Sequence, residues 1–154
     1  MAKAKTRKKT EKAGLGKRLW RRVRRPLRRV AVWTVSLVIL AVLAYRIIDP
    51  PTTWTIQSEK KRLGEVDREW VEIEEVAPVF LRSVVAAEDA NFCMHWGFDV
   101  AAIRAVIAEG SGRGASTLSQ QTVKNVYLWQ GRSWPRKALE AVITPLVEIA
   151  WTKK

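Results

Sequence analysis

The chain has 154 residues, enough for one modest domain, and its formal net charge at pH 7 is +13. Its single cysteine and single histidine exclude an internal disulfide and any metal site built from several such residues. Residues 1–29 contain 14 Lys and Arg and one Glu, whereas residues 30–154 contain 14 basic and 14 acidic residues. The basic excess therefore belongs to an N-terminal tail and is a weak signal for nucleic-acid binding.

The first predicted element is a membrane span over residues 30–48, directly after the basic tail of residues 1–29. Residues 30–45 carry no charge, and the apolar segment continues past Arg46, whose long side chain can reach the interface. The positive-inside rule predicts a cytoplasmic tail and places the chain after Pro50 outside. A cleaved signal peptide is the alternative, although the basic region is long for one. Anionic lipid is the simplest partner for Arg pairs beside a span.

Residues 49–77 are predicted to form an extended stalk between the span and the next domain. Trp54 and Ile56 alternate with polar residues, a period of two that is typical of a strand. Residues 60–64 supply a turn. Pro78 then marks the start of a helix, because proline fits best in a first helical turn.

The helix that starts at Pro78 is predicted to carry a functional carboxylate. Phe80, Glu88 and Phe92 are spaced at multiples of four residues, which predicts that Glu88 lies on an apolar helix face. A carboxylate on such a face is partly desolvated and therefore more basic, as a general base requires. The alternative is a helix that frays by residue 88, with Glu88 and Asp89 both in solvent.

A glycine-rich loop precedes a helix that is predicted to begin around Ser116. Exposed backbone N–H groups at a helix start attract anions, and two cations follow downstream, Lys124 and Arg132. The segment therefore predicts an oxyanion or phosphate cradle, with a plain surface loop as the alternative. The lysine spacing excludes a nucleotide P-loop. The loop contains three glycines: Gly110, Gly112 and Gly114.

A last helix is predicted after Ser133, with Pro135 in its first turn. Glu140 lies at the edge of its apolar stripe, and Arg136 and Lys137 precede it by four and three residues. One interpretation is a solvated ion pair on the helix surface, which is common and weak. The other is a second active-site carboxylate surrounded by cations.

Three stretches in this order, EDANFCMHWGFD, GASTLSQQTVKN and RKALE, resemble the first three signature motifs of the family 51 peptidoglycan glycosyltransferases. The resemblance covers residues 66–154. The basic tail, the single span and the absence of an appended domain are similar to the monofunctional Gram-negative members of that family. The resemblance implies a mainly α-helical fold, in which a transmembrane helix precedes a lysozyme-like domain in the periplasm. Residues 78–154 would be the N-terminal part of that domain.

The resemblance implies polymerisation of lipid II into β-1,4-linked glycan with release of undecaprenyl diphosphate. Glu88 matches the general base, which takes the proton from the acceptor's 4-hydroxyl in an inverting attack on the donor. Glu140 matches a second carboxylate, on the donor side. Lys124 and Arg132 match the cations that hold the diphosphate. Three residues match polar residues that line the cleft of the family: Ser116, Gln120 and Gln121. Four others belong to the first motif and are expected to shape the site and hold Glu88: Asp89, Phe92, His95 and Asp99.

The resemblance requires no cofactor and leaves open one metal, Mg²⁺ or Mn²⁺, with Glu140 as the candidate ligand. The implied partners are lipid II, the growing glycan strand, membrane lipid and cell-wall synthesis or division proteins, and no nucleic acid. The sequence departs from the family at AWTKK, where the fourth motif would begin, so the domain is expected to be C-terminally truncated. Two other functions stay open: an inactive, membrane-anchored homologue that only binds partners, and a lysozyme-like hydrolase, against which the diphosphate-type cations count.

Overall fold

The structure, a computed structural model, describes residues 2–110 and 114–153. No strand occurs in these residues, which confirms the predicted mainly α-helical fold. Two short 3₁₀ turns lie between the helices, at Ile73–Glu75 and Phe92–Met94. Six α-helices follow one another in the described ranges: α1 (Ala2–Ala44), α2 (Trp54–Leu63), α3 (Pro78–Glu88), α4 (Val100–Glu109), α5 (Leu118–Tyr127) and α6 (Trp134–Ala150).

Helix α1 contains the predicted span. The stretch Arg22–Ala44 is long and apolar enough to cross a membrane. The predicted end at residue 48 is wrong, because the helix ends at Ala44 and the next residues form a turn. The amides of Ile47 and Ile48 both donate to the carbonyl oxygen of Ala44, over 3.0 Å each. Pro50 disfavours helical conformation at Asp49, so the helix does not resume beyond this turn.

The predicted extended stalk over residues 49–77 is wrong in its centre, where Trp54–Leu63 forms helix α2. Thr53 caps the helix: its Oγ1 accepts a hydrogen bond from the amide of Ile56 over 3.2 Å. Gly64 ends it, at a φ of +85° that favours glycine. The short alternation of apolar residues fits a helix as well as a strand, and the threonine cap decides between them.

Polar contacts hold α2 against α5. Thr55 Oγ1 donates to the main-chain oxygen of Asn125 over 3.0 Å and accepts from Gln130 Nε2 over 2.6 Å. Gln130 Nε2 also donates to Asn125 Oδ1 over 3.1 Å. Helix α2 is therefore built into the helical domain.

Helix α3 begins at Pro78 as predicted but does not carry the predicted apolar face to Phe92. The helix ends at Glu88, because Asp89 turns to an extended conformation, with φ −161° and ψ 70°. Phe80 is 60% exposed and Glu88 is exposed too. The prediction that Glu88 is desolvated on an apolar stripe is therefore wrong for this structure.

Helices α5 and α6 form the most extensively packed pair. Val123 of α5 and Thr144 of α6 are fully buried, with Ile143 and Val147 close to it. Thr144 Oγ1 donates to the carbonyl oxygen of Glu140 over 2.7 Å, so its polar atom is satisfied inside its own helix. The loop after α3 packs against this pair of helices.

Helix α5 begins at Leu118, two residues after the predicted start at Ser116. A capping box sets this start. Thr117 Oγ1 accepts from the amide of Gln120 over 3.3 Å, and Gln120 Oε1 accepts from the amide of Thr117 over 3.1 Å. Both residues are buried, so the box lies inside the domain.

Gly97 lies where the loop after α3 passes closest to α6. Its φ is +79°, and a Cβ built there would lie 2.6 Å from Thr144 Cγ2 and 3.0 Å from Glu148 Cγ. The carbonyl oxygen of Gly97 accepts from Thr117 Oγ1 over 2.7 Å. Only glycine satisfies both the backbone conformation and this approach.

The end of α1 belongs to the second of two compact units, which divide the chain between Ala41 and Val42. Val42 is 2% exposed, and its carbonyl oxygen accepts from Trp151 Nε1 over 2.8 Å. Tyr45 stacks on Tyr127 with 5.8 Å between ring centroids. The pKa of Tyr127 is raised to about 12, mainly by burial and to a smaller extent by the neighbouring Tyr45.

Candidate active site

A cleft of about 260 Å³ lies between the loop after α3 and the segment that leads into α5. Glu88 and Ser116, both predicted from the sequence to belong to the site, line it. Lys124, Arg132 and Glu140 do not. The other lining residues come from α4 and the connecting segments on either side of it: Asp89, Ala90, Asn91, Asp99, Ala102, Val106, Gly114, Ala115 and Thr117.

Glu88 stands at the rim of this cleft, as the last residue of α3. Gln121 Nε2 donates to Glu88 Oε2 over 2.8 Å, across 33 residues of sequence. Glu88 Oε1 makes no hydrogen bond to the described part of the chain. The structure thus joins two residues that were predicted separately, and leaves one carboxylate oxygen able to accept a proton.

Asp89, next to Glu88, is the buried member of the acidic pair, with 7% of the residue exposed. Asp89 Oδ1 contacts His95 Nε2 at 2.9 Å, and Oδ2 accepts from the amide of Leu118 over 3.0 Å. An ionised carboxylate only accepts hydrogen bonds, so with Asp89 ionised the donor in this contact is Nε2 of His95. The predicted supporting residues Asp89 and His95 therefore join the loop after α3 to the first turn of α5.

Asp99, the second predicted supporting carboxylate, caps helix α4. Its Oδ1 accepts from the amide of Ala102 and its Oδ2 from Asn91 Nδ2, over 2.8 Å each. The Ala102 amide, and next the Asn91 side chain, hold the pKa of Asp99 below its ordinary value. Asp99 thus ties the start of α4 to the loop that carries Asp89.

One group of three potential metal ligands is present among the described residues. Atoms of Asp89, His95 and Asp99 lie within 4.8 Å of one another. Both carboxylates already accept two hydrogen bonds each, from His95 and the Leu118 amide and from Asn91 and the Ala102 amide. A metal would have to displace these contacts, so the group fits a hydrogen-bond network better than a metal site.

Glu140 is buried, with 2% of the residue exposed, so the interpretation as a solvated surface ion pair is wrong. Arg136 Nη1 donates to Oε2 over 2.8 Å, and Lys137 Nζ donates to Oε1. Arg136 Nε also donates to the carbonyl oxygen of Gly131 over 2.7 Å. The carboxylate is surrounded by cations, as the second interpretation predicts. Because both oxygens are already paired, a divalent cation does not fit Glu140 well.

Lys137 connects this buried pair to the cleft. Its Nζ donates to Ser116 Oγ over 3.0 Å as well as to Glu140, and its side chain is 42% exposed. Ser116 lines the cleft. The half-exposed side chain of Lys137 therefore places its ammonium group beside the cleft wall, where the buried carboxylate of Glu140 holds it.

The remaining predicted site residues are placed as follows. Lys124 is half-buried on α5, and Arg132 is exposed between α5 and α6. Neither side chain pairs with another residue in the described ranges. Gln120 is committed to the capping box of α5. Phe92 contacts Lys153, and Gly112 lies outside the described residues.

Thr117 is a good capping residue by its sequence, and the structure confirms it as the N-cap of α5. The glutamine three residues later completes the pattern of a capping box. Sequence reasoning missed Glu148 and Lys153, because no local pattern marks them. Glu148 accepts from Ser119 Oγ and pairs with Lys153 Nζ at 3.2 Å, contacts that depend on how distant segments pack.

The family model and the curated proteins that match this chain both indicate the same family. The model of the family described as Transglycosylase matches residues 56–154. A protein of Jannaschia sp. (strain CCS1), named biosynthetic peptidoglycan transglycosylase, is 58% identical over 119 residues, 77% of this chain and 50% of its own length. Proteins with the same name from Stutzerimonas stutzeri (strain A1501) and Ectopseudomonas mendocina (strain ymp) are 48% and 44% identical. They align with 83% and 87% of this chain and over 57% and 60% of their own lengths.

The chain therefore spans about half the length of the curated relatives it matches. The family match begins at residue 56 and so includes most of α2, which the sequence-based resemblance over residues 66–154 did not reach. No solved structure matches the chain.

Proposed function

Because this chain belongs to the transglycosylase family, we propose that it is a peptidoglycan glycosyltransferase that polymerises lipid II into β-1,4-linked glycan. The observation that carries the proposal is Glu88 at the rim of the cleft, with Gln121 on one of its oxygens. The name shared by the relatives, biosynthetic peptidoglycan transglycosylase, supports the reaction class. The released product is undecaprenyl diphosphate.

In the proposed mechanism Glu88 is the general base. Its carboxylate takes the proton from the 4-hydroxyl of the acceptor sugar while that oxygen attacks the anomeric carbon of the donor, with inversion. The electrons of the bond that breaks leave with the diphosphate. An exposed carboxylate at the rim is reachable by a sugar hydroxyl, and the hydrogen bond from Gln121 limits its rotation.

The proposal assigns stabilisation of the leaving diphosphate to cations. Lys124 and Arg132 carry this role, since both are charged and unpaired in the described structure. Glu140 acts through Lys137, which it holds beside Ser116 at the cleft wall. Mg²⁺ or Mn²⁺, if either takes part, would help to neutralise the charge of the diphosphate.

The proposed location follows from helix α1. The stretch Arg22–Ala44 would span the cytoplasmic membrane, with the basic tail in the cytoplasm beside anionic lipid. The cleft would then work in the periplasm. The proposed partners there are lipid II, the growing glycan strand, membrane lipid and other cell-wall synthesis or division proteins.

The test is polymerisation of lipid II by the 154-residue chain in detergent, with products separated by size. We expect polymer from the wild type and a loss of about 100-fold or more in Glu88→Gln. Glu75→Gln is the matched control, because it removes an exposed carboxylate elsewhere in the domain. Normal polymer from a folded Glu88→Gln variant would refute the role of Glu88.

Two other outcomes identify the competing functions. A folded wild-type chain that yields no polymer would indicate a non-catalytic, membrane-anchored homologue. Release of fragments from preformed glycan would indicate a lysozyme-like hydrolase.

A further inference from the structure

The ammonium group of Lys153, just beyond α6, is bound to the loop after α3. Lys153 Nζ donates to the carbonyl oxygen of Phe92 over 2.6 Å and also to that of His95. It lies 4.7 Å from the centroid of the Phe92 ring. An ammonium group has three N–H donors, and two of them are thus used on this one loop.

The third partner of Lys153 is a buried carboxylate. Its Nζ lies 3.2 Å from Glu148 Oε2, and the Glu148 side chain is 5% exposed. The other oxygen of Glu148 accepts from Ser119 Oγ, in the first turn of α5. A buried ion pair is tolerated when further hydrogen bonds satisfy both groups, as they do here. The pair therefore connects α5, the end of α6 and the loop.

The loop that Lys153 holds is the one that presents the histidine. His95, whose carbonyl oxygen accepts from Lys153, contacts Asp89 through its ring Nε2 at 2.9 Å. Asp89 in turn accepts a hydrogen bond from the amide of Leu118. Asp89 also follows Glu88 directly in the chain, so the orientation of the loop fixes the backbone next to the proposed base.

We propose that Lys153 is a positioning residue, whose ammonium group holds the loop so that His95 stays bonded to Asp89. Without the cation, two carbonyl oxygens lose a charged donor and Glu148 is left buried without its ion-pair partner. The loop then relaxes and the contact between His95 and Asp89 is lost. The consequence for catalysis rests on the proposed function, whereas the consequence for His95 does not.

The test uses the full chain in detergent and the ring of His95. Because the chain has one histidine, its imidazole ¹⁵N and ¹H signals in NMR belong to His95 without further assignment. We expect a slowly exchanging Nε2–H in the wild type and its loss in Lys153→Met. Lys153→Arg should restore it, because a guanidinium can donate to the same acceptors. Lys61→Met, at an exposed position on α2, is the matched control and should leave the signal unchanged.

Retention of the wild-type ring signal in Lys153→Met would overturn the proposal, and so would failure of Lys153→Arg to restore it. If Lys153→Met does not fold, the double variant Lys153→Met/Glu148→Gln removes the ammonium group together with the buried charge opposite it. An unchanged ring signal in that variant would again refute the proposal.

Polymerisation measured on the same variants separates this proposal from the proposed function. We expect turnover to fall about tenfold in Lys153→Met, with KM changed less than twofold, and to recover in Lys153→Arg. Loss of the ring signal in a chain whose wild type makes no polymer would uphold the positioning role and refute the polymerase activity. If polymerisation depends on Glu88 but Lys153→Met keeps both its turnover and its ring signal, the polymerase activity is upheld and the positioning role of Lys153 is refuted.

Discussion

Asp89 accepts the backbone N–H of Leu118 over 3.0 Å, so a carboxylate at the end of α3 satisfies the first amide of α5. Helix starts leave several amides without a partner in their own helix, and a carboxylate there also interacts favourably with the helix dipole. The contact joins two segments 29 residues apart at the edge of the candidate site.

Asp89→Ala should lower the free energy of unfolding by about 2–4 kcal/mol. The substitution leaves the His95 ring and the Leu118 amide without their acceptor inside the domain. Chemical denaturation in detergent, followed by circular dichroism, measures the change. Asp67→Ala, at an exposed carboxylate, should change it by less than about 0.5 kcal/mol. Equal effects of the two variants would contradict the capping role.

Gly97→Ala should destabilise the domain far more than Gly64→Ala. Both glycines have a positive φ, +79° and +85°, so both substitutions carry a similar backbone strain of about 1 kcal/mol. At Gly97 the new Cβ also meets Thr144, which should add about 1–3 kcal/mol. At Gly64 nothing lies within 4 Å. Thermal melting of the two variants side by side measures the difference, and equal melting temperatures would rule out the close approach.

Arg136→Met should lower the free energy of unfolding by about 3 kcal/mol, because it removes one cation from the buried Glu140. Arg62→Met provides the comparison, since Arg62 pairs with Glu59 at the surface of α2. That variant should show no measurable change. Denaturant titrations of both variants test the contrast, which a loss in Arg62→Met as large as that in Arg136→Met would contradict.

Asp99→Asn should reduce the acid sensitivity of the fold. The Ala102 amide and the Asn91 side chain hold the pKa of Asp99 below its ordinary value, so its ionised form stabilises the folded state. That contribution is present above the ordinary pKa of about 4 and is lost as the pH falls through the lowered value. The melting temperatures of wild type and variant should therefore differ at pH 6 and converge near pH 2. A constant difference across that range would show that Asp99 does not contribute through its charge.

The helical part of the fold could be predicted because its signals are local. Pro78 and Ser133 mark helix starts in the sequence. In the structure α3 begins at Pro78, and α6 begins at Trp134, directly after Ser133, whose side chain makes no capping hydrogen bond. Helix α2 was missed because the short alternation of Trp54 and Ile56 fits the period of a helix as well as that of a strand. The residue that α2 contacts, Asn125, is 70 residues further along the chain, so no local pattern records the contact. Local patterns therefore located the elements whose ends are set by their own residues.

The site was predicted as a set of residues but not as an arrangement. Glu88 was expected on an apolar face because the spacing to Phe92 assumed a helix that continues beyond residue 88. Where that helix ends depends on Asp89, which is held by His95 in the same loop and by the distant Leu118. Contacts of this kind are decided by packing between segments, and a sequence pattern carries no record of them.

The hydrogen bond from Trp151 to the carbonyl oxygen of Val42 determines where the domain can be separated from the long apolar stretch of α1. The domain begins inside the last turn of α1, at Val42, and not in the segment that follows the helix. A soluble version cut after Ala44 would leave the Trp151 indole without its acceptor and expose the surface that Val42 covers. The cut should therefore fall upstream of Val42, with the outward-facing apolar residues of that turn replaced by polar ones.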